Sequence, residues 1–196
     1  MIQWFIDTFF GKKDEVPMKA EHRTLAWGKA VTPEFRKKVF QICDDFGWSQ
    51  GQASHLMACM AFETGRTFSP SVKNPSSSAT GLIQFMGATA RGMGTSTYKL
   101  SRMSAVEQLD WVKKYFKPYH QRIRSLEDMY MAILWPRGVG KVTEYVLWKT
   151  GTRTYAVNRG LDKNRDGRVT KREAADKVRE QLELGMTDDY RWEGVA

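Results

Sequence analysis

The chain has 196 residues, a length that suits one domain or one domain with a small appendage. Its hydrophobic and aromatic fractions, 41% and 12%, are ordinary for a soluble globular protein, and no apolar run approaches the ~20 residues that span a bilayer. The formal net charge of +9 predicts an anionic partner: nucleic acid, a membrane surface or a bacterial envelope. Because the positive charges are scattered and no nucleic-acid-binding motif accompanies them, we expect that nucleic acid is not the partner.

The chain opens with ten apolar-rich residues, "MIQWFIDTFF". They lack a basic start and a small-residue cleavage site, so they do not have the pattern of a signal peptide. This segment either docks on the core or anchors the protein to a membrane or a partner protein.

Helical periodicity dominates the chain after residue 31. Hydroxyl side chains mark five predicted helix starts: Thr32, Ser49, Ser104, Ser125 and Thr170. Gln52 and Glu107 complete capping boxes at two of them. A shorter helix is predicted at residues 142–149 and a long ordered loop at 65–81, where a small hairpin remains an alternative. With no alternating strand pattern of useful length, the predicted fold class is mainly α.

Two cysteines, Cys43 and Cys59, fall among apolar residues on adjacent predicted helices. Buried free thiols are favoured, with a disulfide as the alternative.

Glu63 stands at the end of the second predicted helix. Its spacing from Leu56, Cys59 and Met60 continues the apolar stripe of that helix into its last turn. Burial and the negative end of the helix dipole should both raise the carboxyl pKa. A carboxyl that is neutral near neutral pH can protonate a glycosidic oxygen. A solvated glutamate at a helix end is the alternative.

A longer ordered string of residues surrounds this acid. Residues 60–90 read "MAFETGRTFSPSVKNPSSSATGLIQFMGATA", which closely resembles the signature of lytic transglycosylases and phage lysozyme-like hydrolases. In that family a Glu is followed by a hydroxyl residue, then by Phe, a polar residue and Pro; a serine-rich stretch leads to Gly-Leu-Met-Gln and a closing Thr. The matching positions are Glu63, Thr64, Phe68, Ser69, Pro70, Ser78, Gly81, Leu82, Ile83, Gln84 and Thr89.

The resemblance implies the mainly α fold of goose-type lysozymes and lytic transglycosylases, with Glu63 as the catalytic acid. It implies that residues 81–85 form a wall of a glycan groove. Gln84 is similar to the family's substrate-contacting glutamine, and a hydrogen bond that fixes the loop is its alternative role. The implied substrate-binding residues of this segment are Thr64, Ser78, Gly81, Leu82, Ile83, Gln84 and Phe85.

The sequence departs from the family pattern at three places. Thr64 replaces the usual serine, and Ile83 replaces the usual methionine. In "YMAILWPRGVGKV", residues 130–142, Trp135 and Pro136 stand where the family has Tyr and Asn. Trp135 either stacks on a sugar or packs in the core, and it cannot donate a phenolic hydrogen bond. Tyr130 is a candidate substitute for that donor.

A second catalytic carboxylate has no motif support. Asp44, Asp45 and Asp110 are most simply solvated helix charges. A single acid fits the transglycosylase route, in which the muramyl 6-hydroxyl attacks and leaves a 1,6-anhydro product. A hydrolytic muramidase would use the same acid with water, and the sequence leaves both routes open.

Residues 162–173, "DKNRDGRVTKRE", fit the twelve-residue EF-hand calcium loop, with Gly167 at the sharp turn. The six predicted ligands are Asp162, Asn164, Asp166, the Arg168 carbonyl, Thr170 and the bidentate Glu173. A loop of the same shape held without metal is the alternative. The segment before it is not a strong helix, and the sequence has one such loop, which argues against a paired calcium sensor.

Five basic residues crowd this loop: Lys163, Arg165, Arg168, Lys171 and Arg172. Their repulsion predicts a structural calcium site of modest affinity.

Three regions are predicted: an N-terminal segment at 1–30, a catalytic domain at 31–153, and the EF-hand-like loop with the last helix at 154–196. The resemblance implies a bacteriophage enzyme that cleaves bacterial peptidoglycan, made in the host cytoplasm and acting on the wall in the periplasm. An endolysin and a virion-carried hydrolase both fit this interpretation. The protein is expected to be a monomer. A catalytically silent lysozyme-like module of a virion is the alternative.

Overall fold

A computed structural model describes residues 21–195 and is mainly helical, as the sequence predicts. Residues 21–195 contain eight α-helices: α1 Pro33–Phe46, α2 Gln50–Glu63, α3 Gly87–Gly92, α4 Thr97–Ser101, α5 Ala105–Phe116, α6 Leu126–Leu134, α7 Arg153–Asn158 and α8 Lys171–Gly185. They also contain four short strands: β1 His22–Leu25, β2 Val146–Lys149, β3 Arg168–Thr170 and β4 Trp192–Val195. Two antiparallel pairs, β1 with β4 and β2 with β3, make up the sheet structure of these residues.

The five predicted helix starts are confirmed. Each hydroxyl accepts a hydrogen bond from the backbone N–H three residues later, which satisfies a donor that the helix itself leaves free. The capping boxes of Ser49 with Gln52 and of Ser104 with Glu107 are complete, and Thr170 with Glu173 forms a third.

Helix α2 lies at the centre of the molecule and packs against α1, α6, α8 and β1. Its middle reads "LMACMA", which offers no polar face to solvent, and all six of these residues are fully buried. The buried Ser54 hydroxyl accepts a hydrogen bond from the Ala26 backbone N–H at 3.1 Å, so its polar atom is paired. Helices α1, α6 and α8 therefore form the main helical cover around α2.

The two ends of the described chain meet in the β1–β4 pair, where His22 faces Val195 and Leu25 faces Trp192. The next turn inserts Trp27, in the left-handed region at φ 61°, and its indole N–H donates to the Gln181 carbonyl at 2.8 Å. Residues 21–30 of the predicted N-terminal segment thus dock on the core. The apolar stretch "MIQWFIDTFF" lies outside the described residues.

The helix predicted at residues 142–149 is wrong. Its second half is strand β2, which pairs with β3 through an irregularity between Val146 and Trp148. The run "VLW" combines β-branched and aromatic residues that favour a strand, and pairing buries Trp148 against the core. The four strands gave no recognisable alternating pattern in the sequence, because each is only three or four residues long.

The segment before the EF-hand-like loop is helical, contrary to expectation. Thr152 caps α7, Arg153–Asn158, and a 3-10 turn at Arg159–Leu161 leads into the loop. The short helices α3 and α4 were likewise not predicted.

Cys43 and Cys59 are both buried free thiols, as expected. Burial raises the pKa of Cys43 to about 12 and that of Cys59 well above its usual range, so both remain protonated thiols. Within residues 21–195, no helix combines the length and the apolar character that a membrane crossing demands.

A buried ion pair joins α6 to α8. The Lys171 Nζ donates to Asp128 Oδ1 at 2.5 Å and to the Lys141 carbonyl at 2.7 Å, and both side chains of the pair are almost fully buried. The same carboxylate accepts the backbone N–H groups of Gly140 at 2.7 Å and of Arg124 at 3.1 Å. Asp128 therefore ties together three separate segments of the chain.

Replacing Lys171 with Met should leave the Asp128 carboxylate buried without its counter-charge. Breaking one side of a buried pair costs about 3–5 kcal/mol, so we expect Lys171→Met to lower the free energy of unfolding by that amount in urea denaturation. Lys177→Met, on an exposed part of the same helix, is the matched control and should change stability by less than about 1 kcal/mol. Equal losses in the two variants would contradict a special role for the buried pair.

Candidate active site

Glu63 is the last residue of α2 and is half-buried. The chain turns sharply beyond it: Gly65 and Arg66 both adopt positive φ, at 59° and 71°, and the Arg66 N–H donates back to the Ala61 carbonyl at 2.7 Å. This left-handed turn ends the helix directly behind the acid. The position of Glu63 on the buried helix, and not its own polarity, therefore sets the environment of its carboxyl.

Burial raises the pKa of Glu63 from 4.5 to about 7. Burial is the only cause that acts on this carboxyl, since no hydrogen bond or charged neighbour among residues 21–195 contributes to the shift. The Glu63 charge in turn raises the pKa of Tyr130, after burial, and contributes to the raised pKa of Tyr115 after burial and the neighbouring Tyr119. A carboxyl about half protonated at neutral pH can give up a proton in one step and take one back in the next.

Thr64 uses its hydroxyl within the turn. The side chain is buried, donates to the Met60 carbonyl at 2.6 Å and accepts from the Phe68 N–H at 3.1 Å. A hydroxyl residue after the acid therefore holds the helix end and the start of the loop together. A serine hydroxyl could make the same two hydrogen bonds.

Residues 81–85 form a compact turn whose apolar side chains point inward. Leu82, Ile83 and Phe85 are buried in the core, so only the backbone and the side chain of Gln84 remain for the outer side. Gln84 adopts φ 51°, and its side-chain amide donates to the carbonyls of Val72 at 3.2 Å and Gly81 at 3.1 Å. These hydrogen bonds fit the loop-fixing role that was the alternative to substrate contact.

Gln108 on α5 holds this turn and was missed in the sequence. Its fully buried side chain accepts the Leu82 N–H at 2.7 Å and donates to the carbonyls of Pro70 at 3.0 Å and Leu100 at 2.8 Å. Gly81, at φ 82°, passes so close that an added Cβ would lie 2.2 Å from the Gln108 Oε1. One signal could have indicated this role: Gln108 lies four residues before Val112, on the apolar face of an amphipathic helix, where a buried amide needs hydrogen-bond partners.

The remaining predicted substrate residues are spread around this region. Ser78 is exposed, and its hydroxyl accepts the Gly87 N–H at 3.0 Å at the start of α3. Tyr130 is buried edge-on against Phe62, with ring centroids 5.7 Å apart. Trp135 is half-buried and packs edge-on against Trp148, also at 5.7 Å. Tyr130 is thus brought close to Glu63, whereas the packing of Trp135 matches its core alternative.

The three aspartates considered as second carboxylates pair with surface cations. The pairs are Asp44 with Arg23 at 3.1 Å, Asp45 with Lys113 at 2.5 Å and Asp110 with Lys38 at 2.6 Å. Each aspartate is more than half exposed, which fits the expected solvated helix charges.

The EF-hand-like loop is held by hydrogen bonds to its acidic side chains. Asp162 accepts from the Tyr155 hydroxyl at 2.7 Å and from the Gly167 N–H at 3.0 Å. Asp166 accepts from the Arg168 N–H at 2.9 Å, and Asn164 accepts from the Asp166 N–H at 3.0 Å. The Tyr155 hydrogen bond is the first cause of the lowered pKa of Asp162, so this carboxylate is ionised at neutral pH. Tyr155, like Gln108, therefore holds a loop of the candidate sites in place, and the sequence did not reveal this role.

Glu173 closes the loop with one oxygen and leaves the other unpaired. Its Oε2 accepts from the Thr170 N–H at 2.9 Å and hydroxyl at 2.7 Å, while Oε1 is buried without a hydrogen-bond partner among the described residues. An orphaned buried carboxylate oxygen is costly, and a cation would satisfy it. As positioned, no three acidic, Cys or His side chains of residues 21–195 converge into a metal-binding group. The predicted ligand set has only three acids, and its other ligands are amide, hydroxyl and carbonyl oxygens.

The structure reduces the expected repulsion by the basic residues of the loop. Lys163 pairs with Asp176 at 3.1 Å, Arg172 pairs with Glu144 at 2.8 Å, and Lys171 points into the buried pair with Asp128. Three of the five positive charges are therefore directed to acids outside the loop. Arg165 and Arg168 are left as its main basic neighbours.

Comparison of the chain with protein-family models and with curated proteins returns no match.

The raised pKa of Glu63 predicts a pH-dependent difference between the protein and its Glu63→Gln variant. Between pH 4.5 and about 7 the folded state keeps Glu63 protonated, whereas the unfolded chain releases that proton. As pH rises through 7 the buried carboxyl must ionise in the folded state as well, so the stability that Glu63 contributes at low pH is lost. Gln does not titrate and should therefore be more stable than Glu at pH 8, by on the order of 2 kcal/mol, and nearly equal at pH 4.5. Urea denaturation at both pH values measures this.

Glu183→Gln, an exposed change on α8, is the control and should show the same small difference at both pH values. A Glu63→Gln variant whose stability relative to the parent does not change between pH 4.5 and 8 would show that the Glu63 pKa is ordinary.

Proposed function

We propose that this protein cleaves the β-1,4 glycosidic bond between N-acetylmuramic acid and N-acetylglucosamine in bacterial peptidoglycan, with Glu63 as general acid and base. The observation that carries the proposal is the half-buried Glu63 carboxyl, whose pKa is raised to about 7 inside a sequence that resembles the lytic transglycosylase signature. Burial and motif are independent features of the same residue. Together they favour catalysis over a solvated helix-end charge.

A lysozyme-like fold is part of this proposal. Support comes from the mainly helical architecture and from a central buried helix that carries the acid at its C-terminal end. In this proposal the turn at residues 81–85, which Gln108 holds in place, would form a wall of the glycan groove.

In the proposed reaction, protonated Glu63 donates its proton to the glycosidic oxygen as the bond breaks. The resulting carboxylate then takes a proton from the attacking hydroxyl. We favour attack by the muramyl 6-hydroxyl, which leaves a 1,6-anhydro end, because no carboxylate of residues 21–195 contributes to the pKa of Glu63. A second acid that acts as nucleophile or base would need to be close by.

Tyr130 is the proposed donor in place of the family's tyrosine. Its ring lies near Glu63, and its hydroxyl makes no hydrogen bond to another described residue, whereas the Tyr115 hydroxyl donates to the Ala132 carbonyl at 2.6 Å. A free phenolic hydroxyl beside the acid can bind a sugar N-acetyl or hydroxyl group.

The biological setting proposed is a bacteriophage lysin that acts on the cell wall, either released at the end of infection or carried by the virion. The net charge of +9 would favour contact with an anionic envelope.

The proposed acid is tested with purified sacculi. Glu63→Gln keeps the side-chain shape and removes the titrating proton, so it should fold and lose at least ~100-fold in the rate of sacculus clearing. Mass analysis of the muropeptides from the parent digest should show anhydromuramyl ends as the dominant product.

The Glu183→Gln variant, tested in parallel, should clear sacculi at the parent rate. A folded Glu63→Gln variant that is as fast as the parent would end the assignment of the acid. Reducing muramic ends alone would make the reaction hydrolytic, and a folded parent that does not cleave would favour a catalytically silent lysozyme-like structural or binding protein of a virion.

We also propose that residues 162–173 bind calcium as a structural site. Asp162, Asn164, Asp166, the Arg168 carbonyl, Thr170 and Glu173 would hold the ion, and the unpaired Glu173 Oε1 is the observation in favour. Calcium would supply a compact positive charge that links the loop to the first turn of α8. Strand β3 in this loop pairs with β2, in the place where a second calcium loop would pair in a sensor.

Calcium should therefore raise the melting temperature. At ~10-fold above Kd the gain is about 1.4 kcal/mol, a shift of a few degrees, and millimolar magnesium should give less. Glu173→Gln should abolish the shift while keeping the helix cap, because Gln also serves in a capping box. Differential scanning calorimetry with chelator and with calcium measures this.

Glu183→Gln carries the same charge change on the same helix and should keep the calcium response. An unchanged melting curve of the parent in chelator and in calcium would make the loop a metal-free turn. If folded Glu173→Gln lost sacculus cleavage, the loop would belong to the active site.

A further inference from the structure

A surface pocket of about 470 Å³ lies where the chain segments before and after α6 meet. Four exposed basic side chains line it: Arg122, Arg124, Arg137 and Lys141. None of the four forms a salt bridge with another residue between 21 and 195. The pocket thus gathers positive charge that the described structure does not neutralise.

The acid in the lining does not offset this charge. Asp128 is 5% exposed, and its carboxylate is already paired with the buried Lys171. The remaining charge is therefore that of the four exposed cations, from two segments that the carboxylate holds together.

The backbone of both pocket walls is fixed by that same carboxylate. Asp128 Oδ2 accepts the N–H of Arg124, and Oδ1 accepts the N–H of Gly140. The two walls approach closely, since a Cβ on Gly140 would lie 3.9 Å from the Arg122 Cβ. Because Asp128 fixes the backbone at Arg124 and Gly140, an anion that binds between the walls has less backbone to order, which lowers the entropic cost of binding.

We infer that this pocket binds a phosphate group. Three guanidinium groups can each offer two parallel N–H donors, the geometry that phosphate oxygens accept, and the charge excess suits a multiply charged anion better than a single carboxylate. Glu63 is not part of the lining, so the pocket is a site separate from the proposed acid. The phosphate could belong to free inorganic phosphate or to an anionic lipid headgroup, which present the same oxygens.

The test is calorimetric titration of the full chain with inorganic phosphate, exchanged for chloride at constant ionic strength. The parent should bind phosphate, and Arg122→Gln combined with Arg124→Gln should weaken binding at least ~10-fold, because each charge-assisted hydrogen bond contributes more than a tenfold factor. Arg137→Gln with Lys141→Gln, from the opposite wall, should weaken it similarly. Circular dichroism checks that each variant is folded.

Lys37→Gln with Lys99→Gln is the matched control, because it removes the same net charge from exposed lysines outside the pocket. It should change the affinity for phosphate by less than ~2-fold.

Sedimentation with phosphatidylglycerol and phosphatidylcholine vesicles distinguishes a lipid headgroup from free inorganic phosphate. If the parent binds phosphate and also binds phosphatidylglycerol but not phosphatidylcholine vesicles, and the pocket variants lose both, the source is a lipid headgroup. Phosphate binding without vesicle binding assigns the free ion. No measurable phosphate binding by the parent, or equal weakening in the control pair, would overturn the inference.

Discussion

Helix α2 has no polar face along its middle turns, and the surrounding elements are arranged to remove it from water. Helices α1, α6 and α8 and strand β1 all pack against it. Glu63 is half-buried at the C-terminal end of this helix, so burial raises the pKa of its carboxyl without any charged partner. The acid is therefore a consequence of how the core is built, and its ionised form at high pH is a cost that the core packing must offset.

Local sequence signals predicted most of the long helices. The hydroxyl caps at Thr32 and Ser49 act over three residues, so they can be identified without knowing the fold. The apolar spacing of α2 indicated that Glu63 continues the buried stripe, but it left a solvated helix-end glutamate open. Strand β2 could not be found in this way, because a four-residue strand is defined by its partner β3, about twenty residues further along the chain. The Gln108 hydrogen bonds to Pro70 and Leu82 are equally non-local, and a single sequence does not reveal which buried amide meets which turn.

Asp128 and Gln108 have the same structural role at two places in the molecule. Each is a buried polar side chain that satisfies backbone groups of segments without regular structure, and each holds a turn beside a proposed site. Loops gain rigidity this way at the risk that the loss of one partner leaves several polar groups unpaired. The proposed glycan wall and the basic pocket consequently have precise backbone positions although neither is built on a long helix or strand.

The pairing of β1 with β4 has a consequence for how the chain folds and for how it could be extended. His22 and Val195 face each other although almost the whole described chain lies between them. Closing so long a loop carries an entropic cost before it gains any contact, so we expect this pairing to form late in folding, after the helices have assembled. A segment fused directly after residue 195 would therefore leave the described structure beside His22, on the side of the molecule where the β1–β4 pair lies.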